Sequence, residues 1–227
     1  MNSDSHDLPG ARLLDLVAVN DRLRSPGGCP WDAEQTHTSL VKHLLEEAYE
    51  TVEVIESGDR DGLCEELGDL LLQVVFHARI AAEHPDSPWS IDDVAAGAVD
   101  KLIRRHPHVF GDAHAPTAEH VEANWERLKA EEKARTSMVE GVPMGQPALA
   151  LAAKLLTRAG KAGLPVETPT VIHEPTEVTA ESVGELLLAV VALAGQHRID
   201  PEAALRAAAR CLRAQILTAE TVAAIGK

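Results

Sequence analysis

Apolar residues recur at the spacing of an α-helix through most of the chain, and this periodicity restricts the fold more than any other feature. We expect helices over about 11–24, 38–57, 61–83, 90–105, 117–135, 148–162, 180–196 and 201–225, with Pro- and Gly-rich breaks between them. Aromatic residues make up only 3% of the chain, and no segment reads convincingly as a strand. The sequence therefore predicts an all-α fold.

The character of the sequence changes near residue 138. A stretch rich in helix-breaking residues follows it, with Gly141, Pro143, Gly145 and Pro147. Helical periodicity resumes after this stretch. We therefore predict two domains, residues 1–137 and residues 138–227.

The chain is strongly acidic, and the acidity is concentrated in the first domain. It carries 36 Asp and Glu residues against 21 Lys and Arg residues, a net charge of −15 at pH 7. Residues 138–227 hold 9 acids and 8 bases, so residues 1–137 carry a net charge of −14. This balance argues against nucleic acids and anionic membranes as partners, because they require a positive protein surface. It favours a cation-binding site in the first domain.

Cysteine usage and the N-terminal residues indicate the compartment. Cys29, Cys64 and Cys211 are far apart and form no Cys-x-x-Cys pair, which excludes a zinc knuckle and disfavours a disulfide framework. The first seven residues are polar and acidic, unlike a signal peptide. The longest apolar run, 186–195, is too short to span a bilayer. We expect a soluble, cytoplasmic protein.

Two acidic segments lie on either side of a helix break near Asp59. Within a helix, residues three apart share a face, so Glu47 pairs with Glu50 and Glu66 pairs with Asp69. If the two helices form an antiparallel hairpin, Glu50 faces Glu66 and Glu47 faces Asp69. The sequence thus predicts four carboxylates that converge between two helices.

These acids also fit a solvated helix face, which is the usual position of charged residues. Two observations count against it: Arg60 is the only base within 44–72, and the acids alternate with leucines that we expect to be buried, such as Leu45 and Leu67. Clustered carboxylates repel one another unless a cation lies between them, and oxygen ligands favour Mg²⁺ or Mn²⁺. A di-iron centre is disfavoured, because the only Glu-x-x-His motif, at 34–37, lies outside the paired acids.

A basic cluster follows in the same domain. Lys101, Arg104 and Arg105 share one helix face, and His106 and His108 come directly after them. These cations either complement the negative end of a helix dipole or bind phosphate. A metal site combined with cationic side chains is typical of phosphoryl-transfer chemistry.

Five ordered motifs carry a resemblance to a known family: Cys-Pro-Trp-Asp at 29–32, Gln-Thr-His at 35–37, Leu-Leu-Glu-Glu-Ala-Tyr-Glu at 44–50, Glu-Glu-Leu-Gly-Asp-Leu-Leu at 65–71, and the basic segment at 101–111. Together they resemble the MazG family of nucleoside triphosphate pyrophosphohydrolases over about residues 11–135. The resemblance implies a four-helix-bundle-like catalytic domain, a homodimer or higher oligomer, and Mg²⁺-dependent hydrolysis of NTPs or dNTPs, damaged ones included, to monophosphate and pyrophosphate. A catalytically weak helical module that binds nucleotides or a protein partner is the alternative.

The resemblance also assigns roles to individual residues. It implies four metal ligands, Glu47, Glu50, Glu66 and Asp69, for Mg²⁺ or Mn²⁺ as a substitute. Glu46 would act with Glu47 in catalysis by orienting or activating the attacking water, whose pKa the metal lowers. The implied substrate-binding residues are Trp31, Asp32, Lys101, Arg104, Arg105, Trp125 and Lys129. For Trp31, burial as a structural tryptophan stays open.

The C-terminal domain departs from the family's pattern. Longer members resemble a tandem duplication, and residues 184–191 line up with 68–75. In this register Ser182 takes the place of Glu66, and Gly163 takes the place of Glu47. Pro165, Pro169 and Pro175 would also break the first ligand helix. We therefore expect a degenerate, non-catalytic second repeat that has kept a packing role.

Overall fold

The structure is a computed structural model that describes residues 10–133, 137–168, 175 and 177–225. These residues contain ten helices and no strand, so the predicted all-α class is confirmed. The helices, in chain order, are α1 Ala11–Arg24, α2 Pro30–Glu34, α3 Val41–Ser57, α4 Arg60–Ala81, α5 Ile91–Arg105, α6 Pro107–Phe110, α7 Ala118–Lys133, α8 Ala148–Lys161, α9 Ala180–Gln196 and α10 Pro201–Ile225.

The chain divides into two compact units, Met1–Glu126 and Arg127–Lys227. The domain boundary expected after residue 137 stays a prediction. Among the residues that the structure describes, no helix has both the length and the apolar character needed to cross a membrane.

The α3–α4 hairpin is the most extensively packed pair of helices in the first unit. Only two residues separate the helices. Gly58 ends α3 in the left-handed region with φ 74°, which glycine adopts without steric cost. Asp59 then caps α4, because its side chain accepts a hydrogen bond from the Gly62 amide at 3.0 Å. This turn makes the helices antiparallel and fixes which residues face each other.

The apolar core of the first unit lies mainly against the second half of α4. The buried apolar residues there are Leu40, Val75, Phe76, Ala78 and Ala81. In the acidic half of the hairpin the burial predicted for Leu45 and Leu67 is wrong, because these side chains are 52% and 48% exposed. Spacing places these leucines on apolar stripes, but the described part of the chain leaves about half of each side chain uncovered.

Arg24 at the end of α1 ties three segments together. Its guanidinium forms a bidentate ion pair with Glu83, with N–O distances of 2.9 and 2.7 Å. It also donates to the carbonyl oxygens of Asp32 and Gln35 at the end of α2, and lies over the ring of Phe76. The Arg24 side chain is only 5% exposed. The hydrogen bond from Arg24 is the main cause that lowers the pKa of Glu83.

Arg79 extends this network along α4. Its guanidinium binds Asp21 at 2.6 Å and Glu83 at 2.8 Å. Two arginines and two carboxylates therefore fill the space between α1 and the last turns of α4.

The second unit is built on α8, α9 and α10. Thr179 and Ser182 form a capping box at the start of α9, in which each side chain accepts from the other residue's amide at 3.2 and 2.9 Å. Ala189 and Val191 of α9 are buried. Arg158 of α8 donates to the carbonyl oxygens of Met138 and Glu140, both at 2.9 Å.

Candidate metal centre

Three carboxylates converge between the helices of the α3–α4 hairpin. Glu47 comes from α3, whereas Glu66 and Asp69 come from successive turns of α4. One carboxylate oxygen from each lies within 4.8 Å of the other two, and all three residues are half-buried. The structure thus brings together three of the four ligands expected from the sequence.

Glu50 and Glu46 lie beside this centre on α3, and both are exposed. Glu50 does not belong to the group of three converging oxygens, although its charge acts on both Glu47 and Glu66. Glu46 pairs with His43 at 3.6 Å. Both residues are therefore placed to influence the centre from its solvent side.

The carboxylates of the centre repel one another. Burial is the main cause that raises the pKa of Glu47, followed by the charge of Asp69 and those of three other neighbouring glutamates. Burial likewise raises the pKa of Glu66, followed by the charges of Glu50 and Asp69. Within the described part of the chain, no Lys, Arg or His forms an ion pair with Glu47, Glu66 or Asp69. A divalent cation would relieve this repulsion, and three carboxylates suit a hard one.

The basic cluster of α5 is divided in the structure. Lys101 and Arg104 are exposed, whereas Arg105 is 8% exposed. The guanidinium of Arg105 lies over the ring of Trp125 from α7, 5.3 Å from its centroid. Helical spacing predicts all three cations on one face, but Arg105 is buried in a cation–π contact while the other two are exposed.

Trp31 and Asp32 occupy the short helix α2. Trp31 is 53% exposed and meets the ring of His43 edge-on at 6.1 Å, which speaks against burial as a structural tryptophan. Asp32 and Trp125 are half-buried. Lys129 lies on α7, but its side chain is outside the described residues.

Two polar features of this unit were not predicted from the sequence. One is the Arg24 network, and the other is a contact between His37 and His77 with the two Nδ1 atoms 2.8 Å apart. Burial is the main cause that lowers the pKa of His77, with the charge of His37 second. Arg24 and Glu83 are 59 residues apart in the sequence, and His37 and His77 are 40 apart. Contacts over such separations leave no periodic pattern in a single sequence.

Fold and site define an all-α protein with three converging carboxylates on a helix hairpin. Residues 35–110, which include all three converging carboxylates, match the family described as the MazG nucleotide pyrophosphohydrolase domain. The chain is 57% identical to an uncharacterized 26.1 kDa protein of Streptomyces cacaoi over 95% of this chain and 86% of that protein.

Two further relatives carry the name nucleoside triphosphate pyrophosphohydrolase. The protein of Mycolicibacterium smegmatis is 48% identical over 89% of this chain and 63% of its own length. The protein of Thermotoga maritima, whose name adds pyrophosphatase MazG, is 40% identical over 88% of this chain and 82% of its own length. The chain thus spans less than two thirds of the mycobacterial relative and more than four fifths of the other two. It belongs to the MazG nucleotide pyrophosphohydrolase family.

Proposed function

We propose that this protein hydrolyses nucleoside triphosphates, ribo or deoxy, to monophosphate and pyrophosphate with Mg²⁺ at the hairpin centre. The observation that carries the proposal is the convergence of Glu47, Glu66 and Asp69 within 4.8 Å. The names of the mycobacterial and Thermotoga relatives support the reaction.

The acidic residues of the hairpin have two tasks in this proposal: they bind the cation and they position the attacking water. Glu47, Glu66 and Asp69 hold the cation, and Glu50 adds its charge from one turn along α3. When bound, Mg²⁺ neutralises triphosphate charge and makes the attacking water more acidic. Glu46, exposed beside Glu47, orients that water and accepts its proton.

The substrate-binding residues complete the arrangement. Lys101 and Arg104 are exposed and bind phosphate oxygens, which leaves Arg105 to hold Trp125 in place. The exposed face of Trp31 stacks on the base. Attack of the water oxygen on the α-phosphorus forms one P–O bond and breaks the bond to the bridging oxygen, so pyrophosphate leaves as a unit.

Product analysis with matched variants tests this reaction. Pyrophosphate release from a panel of NTPs and dNTPs should require Mg²⁺, tolerate Mn²⁺ and stop with a chelator. Glu66→Gln and Asp69→Asn should abolish release, whereas Glu53→Gln, an exposed residue of the same hairpin, should have no effect. Orthophosphate as the first product, or normal turnover by the two centre variants, contradicts the proposal.

A nucleotide- or protein-binding module is the second candidate, favoured by apolar side chains of the hairpin left exposed, Leu45, Ile55 and Leu67. Nucleotide binding without any pyrophosphate release would establish it. The same exposed residues support a homodimer or higher oligomer in the pyrophosphohydrolase itself. Light scattering should then give at least twice the chain mass of 24.3 kDa, and Leu67→Glu should reduce it.

A further inference from the structure

A cavity of about 740 Å³ lies in the second unit between α8 and α9. Small residues of both helices line it, including Gly160 of α8 and Ala192 and Gly195 of α9, and we call these residues its floor. Leu156 and Ile199 add apolar lining, and we call them its walls. The volume lies within the range of pockets that hold drug-sized molecules.

The sequence register between the two units relates residues of the cavity to positions in the first unit. Residues 184–191 line up with 68–75, and the matched pairs Gln73 with Ala189 and Val75 with Val191 are buried in both units. Continued along the chain, the same register places three residues of the second unit at positions that hold large side chains in the first. Phe76 corresponds to Ala192, Arg79 corresponds to Gly195, and Glu83 corresponds to Ile199.

All three of these second-unit residues line the cavity. In the first unit their counterparts help to fill the space between α1 and α4, together with Arg24 and Asp21. At these three positions the second unit therefore carries Ala, Gly and Ile in place of a ring and two charged groups, and the smaller side chains leave space beside α9.

The floor of the cavity has room for a ligand. A Cβ atom added at Gly160 or at Gly195 would meet no atom within 4 Å. Small side chains let a ligand approach the helix backbone closely, which suits a flat ring.

A cation lies at the rim. Arg198 follows the C-cap of α9 in the left-handed conformation, φ 58°, and the Ile199 amide donates to the Ala194 carbonyl oxygen at 2.9 Å. Within the described residues, its guanidinium has no hydrogen-bond or ion-pair partner. The carboxylate of Asp200, also at the rim, accepts from the amides of Glu202 and Ala203 at 2.9 and 3.1 Å. Arg198 is thus available to an anionic group.

We propose that this cavity binds a small molecule with a flat, largely apolar ring and one anionic group. The ring lies on the Ala and Gly floor between apolar walls, and the anion pairs with Arg198. This site uses none of the residues of the hydrolytic centre. A negative result in the test of this site therefore leaves the proposed function unaffected, and the reverse also holds.

A fluorescent probe with this chemistry, 1-anilinonaphthalene-8-sulfonate, tests the site in the full-length protein. Gly195→Leu and Gly160→Leu fill the floor and should weaken probe binding at least tenfold. Gly184→Leu is the matched control, because Gly184 is also on α9 with open space around it but does not line the cavity. Equal binding by the filled variants and wild type, or an equal loss in Gly184→Leu, would overturn the proposal. Circular dichroism verifies that each variant is folded.

The anionic group is tested with Arg198→Asn, since Asn tolerates the left-handed conformation. This variant should bind the sulfonate probe on the order of tenfold more weakly, because a charge-assisted contact is lost. It should bind N-phenyl-1-naphthylamine, the neutral analogue, as wild type does. Equal effects on both probes would refute the role of Arg198. Displacement of the probe by nucleoside monophosphates or by benzoate distinguishes two sources of the ligand, and displacement by neither refutes the ligand class.

Discussion

Arg24→Ala removes the guanidinium that joins α1, the end of α2 and the end of α4. The side chain is 5% exposed and binds one carboxylate and two carbonyl oxygens. Breaking a buried ion pair costs about 3–5 kcal/mol. Glu83 is 40% exposed and keeps its contact with Arg79, so we expect a smaller loss of unfolding free energy, about 2–3 kcal/mol.

Urea denaturation followed by tryptophan fluorescence measures this loss. All three tryptophans, Trp31, Trp89 and Trp125, lie in the first unit, so the signal reports on that unit. Arg12→Ala is the control, because Arg12 on the same helix forms an exposed ion pair with Asp15 and should contribute at most about 0.5 kcal/mol. If the two variants lose equal stability, the assigned role of Arg24 is wrong.

The stability lost in Arg24→Ala should also depend on pH. Arg24 lowers the pKa of Glu83 in the folded protein. The pair therefore stabilises the fold above the pKa of an unfolded glutamate, about 4.3, and this stability is lost as the pH falls through the lower folded pKa. The difference in unfolding free energy between wild type and Arg24→Ala should thus be largest near neutral pH and shrink in acid.

Three further predictions concern the two units. Glu47→Gln should raise the melting temperature in the presence of a chelator, because it removes one of several repelling carboxylates, while it abolishes pyrophosphate release; a lower melting temperature contradicts this electrostatic account. Trp31→Ala should raise KM about tenfold, with kcat and stability nearly unchanged, because an exposed ring that stacks on the base contributes about 1–3 kcal/mol; steady-state kinetics would disprove the role if KM stayed the same. Glu185→Ala should leave turnover unchanged, since the second unit has no carboxylate at the position of Glu66; loss of activity would assign chemistry to that unit.

Helix limits were predictable where capping residues and breaks mark them. The predicted bounds of α1, α9 and α10 are confirmed. The start of α3 is wrong by three residues, because Thr36 and Ser39 exchange side-chain-to-backbone hydrogen bonds before the helix begins at Val41. The short helices α2 and α6 were missed, since a single turn contains too few residues to show a period.

The candidate site was predictable to the extent that local geometry determines it. A two-residue turn fixes the register of the hairpin, so spacing alone brings Glu47 close to Glu66 and Asp69. Spacing fails for Arg105, because its position depends on Trp125, which lies 20 residues further along the chain. Contacts between distant segments depend on packing, which one sequence does not reveal.

The capping box of α9 gives position 182 a local structure unlike that of Glu66. In the shared register α4 begins at a position equivalent to 176, whereas α9 begins at Ala180, four residues later. Ser182 therefore lies in the first turn of its helix, where its hydroxyl accepts from the Thr179 amide and donates to the Glu177 carbonyl. A single substitution at 182 would restore the charge without the preceding helical turn. A carboxylate at 182 alone would therefore not reproduce the arrangement of Glu66 on α4.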